Sequence, residues 1–275
     1  EDAGLELSGQ GEFQVFISEK RIKIVHNGKP FDEQDVIALC GIRSSKKPER
    51  GTLGYLGIGF KSVYKVTDCP EVYSGPFRFK FDRNHWPDPI NTPWHVLPLW
   101  VDVPSEAVDE SKTTFIIPFR EPSLYPSLVT DVTKLGTELY LFLKWIKKIA
   151  AYDEVSGRRW LLENVGEADG DIAVLKKDGR EEHFKFFRRT LNVSQAPSRV
   201  NADRLTQEYR ANVKQREISI AFALDQNGNL DLRLAHAMYG GVYSFLPLGE
   251  ARSGAKFPIQ GDFLVQPGRD AINYE

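Results

Sequence analysis

The stretch GTLGYLGIGFKSVYKV, residues 51–66, decides how the rest of this sequence is interpreted. It places a series of glycines before a Lys-Ser pair, and these glycines are Gly51, Gly54, Gly57 and Gly59. Glycines let backbone N–H groups face outward, and a helix N-terminus adds partial positive charge, so both features suit an anion such as phosphate. Because FKSVYKV has the apolar spacing of a short helix, the stretch predicts a glycine loop that runs into a helix N-terminus. A plain connecting turn is the alternative.

Neither of the two familiar phosphate loops fits this stretch. A Walker A loop needs Gly-Lys-Ser directly after its four-residue interval, and here Phe60 stands between Gly59 and Lys61. One extra residue turns the lysine by about 100° around a helix of about 3.6 residues per turn. A Rossmann fingerprint fails too, because Gly57-x-Gly59 lacks a third glycine at the required place.

The residues on either side of the glycine loop carry a family resemblance. VHNGKPFDEQDVIALCGIRSSK (25–46) and GTLGYLGIGFKSVYKVTDCPEVYSG (51–75) resemble the ATP-binding region shared by gyrase, heat-shock-ninety chaperones and histidine kinases. This is the GHKL superfamily, or Bergerat fold, and the likeness is greatest to its sacsin-like branch. The matching positions are Asn27, Gly28, Phe31, Ser44, Ser45, Lys46, Gly54, Gly57, Gly59, Phe60, Lys61 and Ser62. A later strand beginning at Thr113 resembles the superfamily's Gly-Thr strand, with Lys112 in place of the glycine.

This resemblance implies an α+β fold in two parts. Residues 1–152 are expected to form a GHKL-type ATP-binding domain, a Bergerat-type α/β sandwich whose mixed, largely antiparallel sheet has helices on one face. Residues 153–275 are expected to form a smaller α+β domain, similar to a transducer or middle domain. The implied ligands are ATP or ADP, with Mg²⁺ in the intact protein. The implied function is an ATP-driven conformational switch within a larger polypeptide.

The resemblance also implies which residues bind the nucleotide. The expected set is His26, Asn27, Gly28, Ser45, Lys46, Gly54, Gly57, Gly59, Phe60, Lys61, Thr113 and Arg269. At the first of these positions the family carries an Asp that accepts a hydrogen bond from the adenine amino group, whereas this chain has His26. A neutral imidazole nitrogen, the side-chain carbonyl of Asn27 or a bridging water are alternative acceptors, and adenine selectivity would then be weaker. A strand-end histidine without a ligand is a further alternative.

Arg269 is the candidate sensor of the γ-phosphate. The segment SFLPLGEARSGAKFPIQGDFLVQPGRDAI (244–272) resembles the sacsin-type segment that follows the ATP-binding fold. Related ATPases reach the γ-phosphate with a basic residue from this following domain, and Gly268 could supply the tight turn. A surface arginine at a loop tip is the alternative.

The catalytic motif of the family is expected to lie upstream of this sequence. The opening EDA resembles the end of the helix that carries the catalytic Glu and the Mg²⁺-binding Asn, with Asp2 and Ala3 as its final pair. The sequence therefore nominates no catalytic residue and no metal ligand, and ATP hydrolysis is expected only in the intact protein. A catalytically inactive GHKL-fold interaction module, in a chaperone-like or a DNA-processing and defence protein, is the alternative.

Net charge and cysteine content indicate which kinds of partner and which compartment to expect. The 275 residues carry a net charge of −2, which gives no global reason to expect nucleic acid or a membrane. Cys40 and Cys69 lie in apolar contexts without metal-ligand spacing, which indicates free thiols in a reducing, cytoplasmic compartment. The expected partners are ATP or ADP and further domains of the same polypeptide. A homodimer is an open alternative, and a client could be a protein or a nucleic acid.

Local patterns predict most of the elements. Residues 12–18 and 21–27 form one predicted hairpin, and Asp178-Gly179 and Asn227-Gly228 form the turns of two more. The pattern of residues 71–82 predicts two strands joined by a turn. The pattern of residues 112–119 predicts a buried strand. Helices are predicted at 31–42, with Asp32 as N-cap, and in the longest helical pattern, 129–152. A last helix is predicted at 202–215.

Overall fold

A computed structural model describes residues 10–41, 59–168, 171–192, 214–238, 240–263, 265 and 272 of the chain. Two compact units contain these residues. The described part of the first unit is 10–41, 59–134 and 144–161, and that of the second is 135–143 and the described residues from 162 onward. The chain therefore passes between the units more than once. The boundary expected at residue 152 stays a prediction.

The first unit is built on a mostly antiparallel sheet. Its strands are β1 (Gly11–Ile17), β2 (Arg21–His26), β3 (Glu71–Ser74), β4 (Phe77–Lys80), β5 (Leu99–Trp100), β6 (Thr113–Pro118) and β7 (Ile146–Asp153). Their order across the sheet is β7-β1-β2-β6-β3-β4-β5, and only β1 and β7 pair in parallel. The predicted hairpins β1–β2 and β3–β4 and the predicted strand β6 are confirmed.

Two helices and several 3₁₀ turns accompany this sheet. The helices are α1 (Glu33–Cys40) and α2 (Leu124–Lys134), and the turns are Phe60–Lys65, Arg83–His85 and Trp94–Val96. A reciprocal capping box starts α1, because the Asp32 carboxylate accepts from the Asp35 N–H and the Asp35 carboxylate accepts from the Asp32 N–H. The predicted N-cap is therefore confirmed.

One face of this sheet forms the core that supports the candidate site. Val72, Phe79 and Phe115 are cross-strand partners on β3, β4 and β6, so their side chains share a face. Val36 of α1 packs in the same cluster, and so does the ring of Phe60. We call this side of the sheet the aromatic face; its other partly buried members include Phe31, Tyr64, Phe77 and Trp94.

The strands of the second unit also pair mostly antiparallel, and the first of them, β8 (Arg159–Ala168), begins within the first unit. The others are β9 (Ile172–Lys177), β10 (Arg180–Asn192), β11 (Gln215–Leu224), β12 (Gly241–Ser244), β13 (Leu246–Arg252) and β14 (Ile259–Gly261). Their order is β13-β12-β14-β11-β10-β9-β8, with only β12 and β14 parallel. Asp178 and Gly179, with φ of 49° and 83°, form the predicted hairpin turn between β9 and β10.

The predicted helix at 129–152 is wrong in its larger part. Helix α2 ends at Lys134, a 3₁₀ turn covers Thr137–Tyr140, and β7 occupies Ile146–Asp153. Residues 140–143 form an apolar run and are all buried. This run was interpreted as the apolar side of a helix. β7 pairs along its whole length with β1, and this long-range pairing overrides the local pattern.

The hairpin predicted at Asn227-Gly228 is only partly right. Gly228 has a positive φ of 81° and the chain reverses there, but the return is a single bridge between Leu224 and Leu230. Asp231 then caps α3 (Leu232–Ala237), because its carboxylate accepts from the backbone N–H groups of Arg233 and Leu234. The helix predicted at 202–215 lies outside the described residues up to 213, and Gln215 begins β11.

The class of the fold is as predicted. The described residues form an α+β structure with large, mostly antiparallel sheets and few helices. Among these residues, no helix combines the length and the apolar character that crossing a bilayer requires.

Candidate functional site

The candidate site begins where β2 ends. His26 is the last residue of β2 and lies opposite Thr113, the first residue of β6. Since Thr113 and Phe115 are two residues apart on one strand, His26 and Thr113 project from the aromatic face. The ring of His26 lies 6.2 Å from that of Phe115. Two residues that the sequence assigned to the site are thus cross-strand neighbours.

The hydrogen bond of the His26 side chain fixes its protonation state. Its Nδ1 accepts from the backbone N–H of Gly28 at 3.2 Å. Burial lowers the pKa of His26 from 6.5 to about 4, because the charged imidazolium would lose its hydration. A neutral imidazole with Nδ1 as acceptor carries its proton on Nε2. That Nε2–H has no hydrogen-bond partner within the described part of the chain.

Asn27 is already engaged by the backbone. Its Oδ1 accepts from the N–H of Glu12 at 2.7 Å, and its Nδ2 donates to the carbonyl of Gln10 at 3.1 Å. These two bonds join the end of β2 to the start of β1. The side-chain carbonyl of Asn27, an alternative acceptor in the sequence interpretation, therefore already makes one structural contact.

Thr113 belongs to a buried hydroxyl pair that the sequence did not predict. Its Oγ1 lies 2.6 Å from Oγ of Ser74, and both side chains are almost fully buried. The same Ser74 oxygen accepts from the backbone N–H of Phe31 at 2.8 Å. Ser74 ends β3, and only the long-range pairing of β3 with β6 brings it to Thr113, so no local motif could have revealed it.

Gly59 stands at the start of the 3₁₀ turn Phe60–Lys65. Its φ of −56° and ψ of −49° suit any residue, and a Cβ built there meets no atom of the described part of the chain within 4 Å. Its carbonyl accepts from the N–H and the hydroxyl of Ser62, at 3.2 and 2.8 Å. Neither backbone conformation nor crowding within the described residues requires glycine at this position.

Phe60 anchors this turn to the aromatic face. Its ring centroid lies 6.0 Å from those of Tyr64, Phe81 and Phe115. Phe115 contacts both Phe60 and His26, so it connects the turn with the end of β2. Of the predicted residues, His26, Phe60, Lys61 and Thr113 thus border one aromatic surface.

The ammonium group of Lys61 is hydrogen-bonded to backbone carbonyls of the protein itself. Its Nζ donates to the carbonyls of Leu39 at 2.6 Å and His95 at 3.1 Å, and lies 5.5 Å from the ring centre of Phe81. Burial lowers the pKa of Lys61, while the neighbouring Cys40 opposes that change. The Leu39 carbonyl lies in the last turn of α1, where a cation is favoured by the helix dipole. A contact between Lys61 and a phosphate stays a prediction.

Several predicted residues lie outside the described ranges, namely Ser45, Lys46, Gly54, Gly57 and Arg269. The same is true of Asp2 and Ala3 in the opening EDA. Among the described residues, no cluster of three or more His, Cys, Asp or Glu side chains could hold a metal ion. Cys40 and Cys69 are free, half-buried thiols, and burial raises the pKa of Cys69 to about 11.

Known proteins resemble parts of this chain. The Sacsin domain family model matches residues 22–92. Protein NO VEIN of Arabidopsis thaliana is 28% identical over 277 residues, which covers 94% of this chain and 9% of that protein. Human sacsin is 42% identical over 52 residues, or 18% of this chain and 1% of sacsin. The chain thus spans less than a tenth of the length of these relatives.

Solved structures give more distant likenesses. The N-terminal domain of a DNA repair protein has a TM-score of 0.44 at 10% identity, covering 98% of this chain and 86% of its own. A topoisomerase IV ATP-binding domain of Francisella tularensis, solved with an inhibitor, has a TM-score of 0.33 at 11% identity, covering 68% and 56%. At such TM-scores neither likeness bears on function. Residues 22–92 are thus similar to the Sacsin domain.

Proposed function

We propose that this chain is the purine-nucleotide-binding module of a larger GHKL-type ATPase and acts there as a nucleotide-driven conformational switch. ATP and Mg²⁺ are the ligands that the resemblance implies. The observation that carries the proposal is the convergence of His26, Thr113 and the turn at Gly59 on one aromatic surface joined by Phe115. The Sacsin domain match spans His26 and Gly59.

The two ends of this surface suit the two ends of a nucleotide. At the base end, which we define by His26, Gly28 and Thr113, polar strand ends lie beside aromatic rings, and a flat base needs both contacts. At the phosphate end, defined by Gly59, Phe60 and Lys61, the open space at Gly59 leaves room for close approach to the backbone. An anion there would meet the start of the turn Phe60–Lys65.

A second candidate, a GHKL-fold interaction module without turnover, is favoured by one observation. Lys61 and Asn27, which match family positions, both hold backbone groups of the protein itself. Under this alternative the fold persists for partner binding alone. Phosphate release by the longer parent protein separates the two, because the proposal expects hydrolysis that the alternative excludes.

Nucleotide binding itself is tested by calorimetric titration of the 275-residue chain with ADP and a non-hydrolysable ATP analogue, with and without Mg²⁺. The sharpest variant is Gly59→Val, whose Cβ meets no atom of the described residues within 4 Å but whose side chain would obstruct a phosphate. We expect it to weaken binding about tenfold, or about 1.4 kcal/mol.

Gly249→Val is the matched control, because a Cβ at this β13 position also meets nothing within 4 Å. It should leave affinity unchanged. Absence of binding to the parent chain, or equal affinities of Gly59→Val and the control, would remove the nucleotide site from the account.

A further inference from the structure

The base end offers a hydrogen-bond donor where the family resemblance expects an acceptor. Gly28 N–H occupies Nδ1 of His26, so the ring presents Nε2–H. A proton on Nδ1 would instead set two N–H groups against each other and leave the Gly28 N–H without its acceptor. The polarity of His26 is therefore a property of the local fold.

The other side-chain acceptors at this end already accept from the protein. Oδ1 of Asn27 accepts from Glu12 N–H, and the Ser74 oxygen accepts from Phe31 N–H and is hydrogen-bonded to the Thr113 hydroxyl. Both hydroxyls of that pair are buried. Within the described residues, Nε2–H of His26 is thus the side-chain group of this end that remains for a ligand.

We propose that His26 selects the base of the nucleotide by donating from Nε2, so that the site takes 6-oxopurine nucleotides, which carry guanine or hypoxanthine, in preference to adenine nucleotides. This inference rests on the proposed function. A 6-oxo group is a carbonyl acceptor that pairs with Nε2–H. The amino group of adenine would set donor against donor, and a buried donor without an acceptor is costly.

Burial preserves this polarity at neutral pH. His26 is mostly covered, and its low pKa keeps the imidazole neutral, so it does not act as a general cation for phosphate. Its discrimination between bases therefore comes from one directional hydrogen bond. Sites built around such a bond reject an analogue that cannot complete it more strongly than apolar pockets reject a change of size.

The test is calorimetric titration of the full chain with GTP, ITP and ATP. We expect GTP and ITP to bind at least about tenfold more tightly than ATP. His26→Asp replaces the donor by an acceptor and should reverse the order in favour of ATP. His85→Asp, at an exposed histidine in the turn Arg83–His85, introduces the same charge and should keep the parent order.

His26→Gln is a second variant, which keeps the test usable if His26→Asp does not fold. The glutamine amide can donate or accept a hydrogen bond, so this variant should bring the ratio of GTP affinity to ATP affinity close to one. A parent chain that binds ATP as tightly as GTP would overturn this inference and leave the proposed nucleotide site intact. A ratio unchanged in both His26→Asp and His26→Gln would do the same. If none of the three nucleotides binds the parent chain, the proposed function fails together with the inference.

Discussion

The base end and the phosphate end of the candidate site use their motif residues in opposite ways. At the base end, one nitrogen of His26 is held by Gly28 and the other has no partner among the described residues. At the phosphate end, the ammonium of Lys61 is bound to the carbonyls of Leu39 and His95. The family resemblance assigned both side chains to the candidate site. Their hydrogen-bond partners decide which one remains for a ligand.

The strongest challenge to this comparison is Lys61→Ala. Removing the ammonium leaves two backbone carbonyls without their charged donor and breaks the contact with the end of α1. We expect the free energy of unfolding to fall by about 3 kcal/mol, measured by urea denaturation. Lys65→Ala, at an exposed lysine four residues on, is the control and should change it by less than about 0.5 kcal/mol. A stable Lys61→Ala protein with weaker nucleotide binding would make Lys61 a phosphate ligand instead.

The next effect is a pH dependence that arises at the base end. The pKa of His26 is about 4 in the folded chain against 6.5 as its ordinary value, so the unfolded chain takes up a proton first as the pH falls. Stability is therefore complete above pH 6.5 and declines towards pH 4. Between pH 7 and 5 this group should remove about 2 kcal/mol.

The measurement compares urea unfolding of the parent and of His26→Asn at both pH values, because the difference between their pH slopes isolates His26 from the carboxylates. Identical slopes would show that His26 is protonated as easily in the folded chain as in the unfolded one. The assignment of Nε2 as a fixed donor would then be lost.

A smaller effect concerns the helix that holds Lys61. Asp32→Ala removes the hydrogen bond that the Asp32 carboxylate accepts from the Asp35 N–H at the start of α1, and it should lower the free energy of unfolding by about 1 kcal/mol. Asp32→Asn retains a capping oxygen and should lose much less. Equal losses in the two variants would mean that the charge, rather than the cap, stabilises this helix.

The smallest expected effect is that of Gly59→Ala on stability. The helical φ and the open space at Gly59 accommodate a methyl group, so the free energy of unfolding should stay within about 0.5 kcal/mol of the parent value. Thermal denaturation followed by circular dichroism suffices to measure it. A loss of more than about 1 kcal/mol would indicate a structural need for glycine, and the Gly59→Val titration would then no longer isolate the phosphate contact.

The sequence predicted those parts of the fold that local contacts determine. The β1–β2 and β9–β10 hairpins follow from short turns between alternating strands, and α1 follows from Asp32 and its capping box. The helix prediction for 129–152 was wrong because β7 is determined by its parallel partner β1, which is more than a hundred residues away in the chain. Nothing in the local pattern of 146–153 indicates that partner.

The candidate site divides in the same way. His26, Gly59 and Thr113 were assigned to the candidate site from the family resemblance, and the structure brings His26 beside Thr113. Ser74 and the carbonyl partners of Lys61 were missed, because both depend on segments that meet only in the folded chain. The hydrogen bond that fixes the His26 tautomer is local in sequence, but the burial that keeps the ring neutral is a tertiary property.

The most direct test of the account is the imidazole ¹⁵N spectrum of His26 at pH 7, recorded on the labelled full chain before and after addition of GTP. The account predicts a neutral ring with its proton on Nε2 in the free protein, and a shift of that N–H resonance when GTP is bound. His26→Gln identifies the signal by its absence. A proton on Nδ1, a charged ring, or an Nε2–H resonance that saturating GTP leaves unmoved would contradict it.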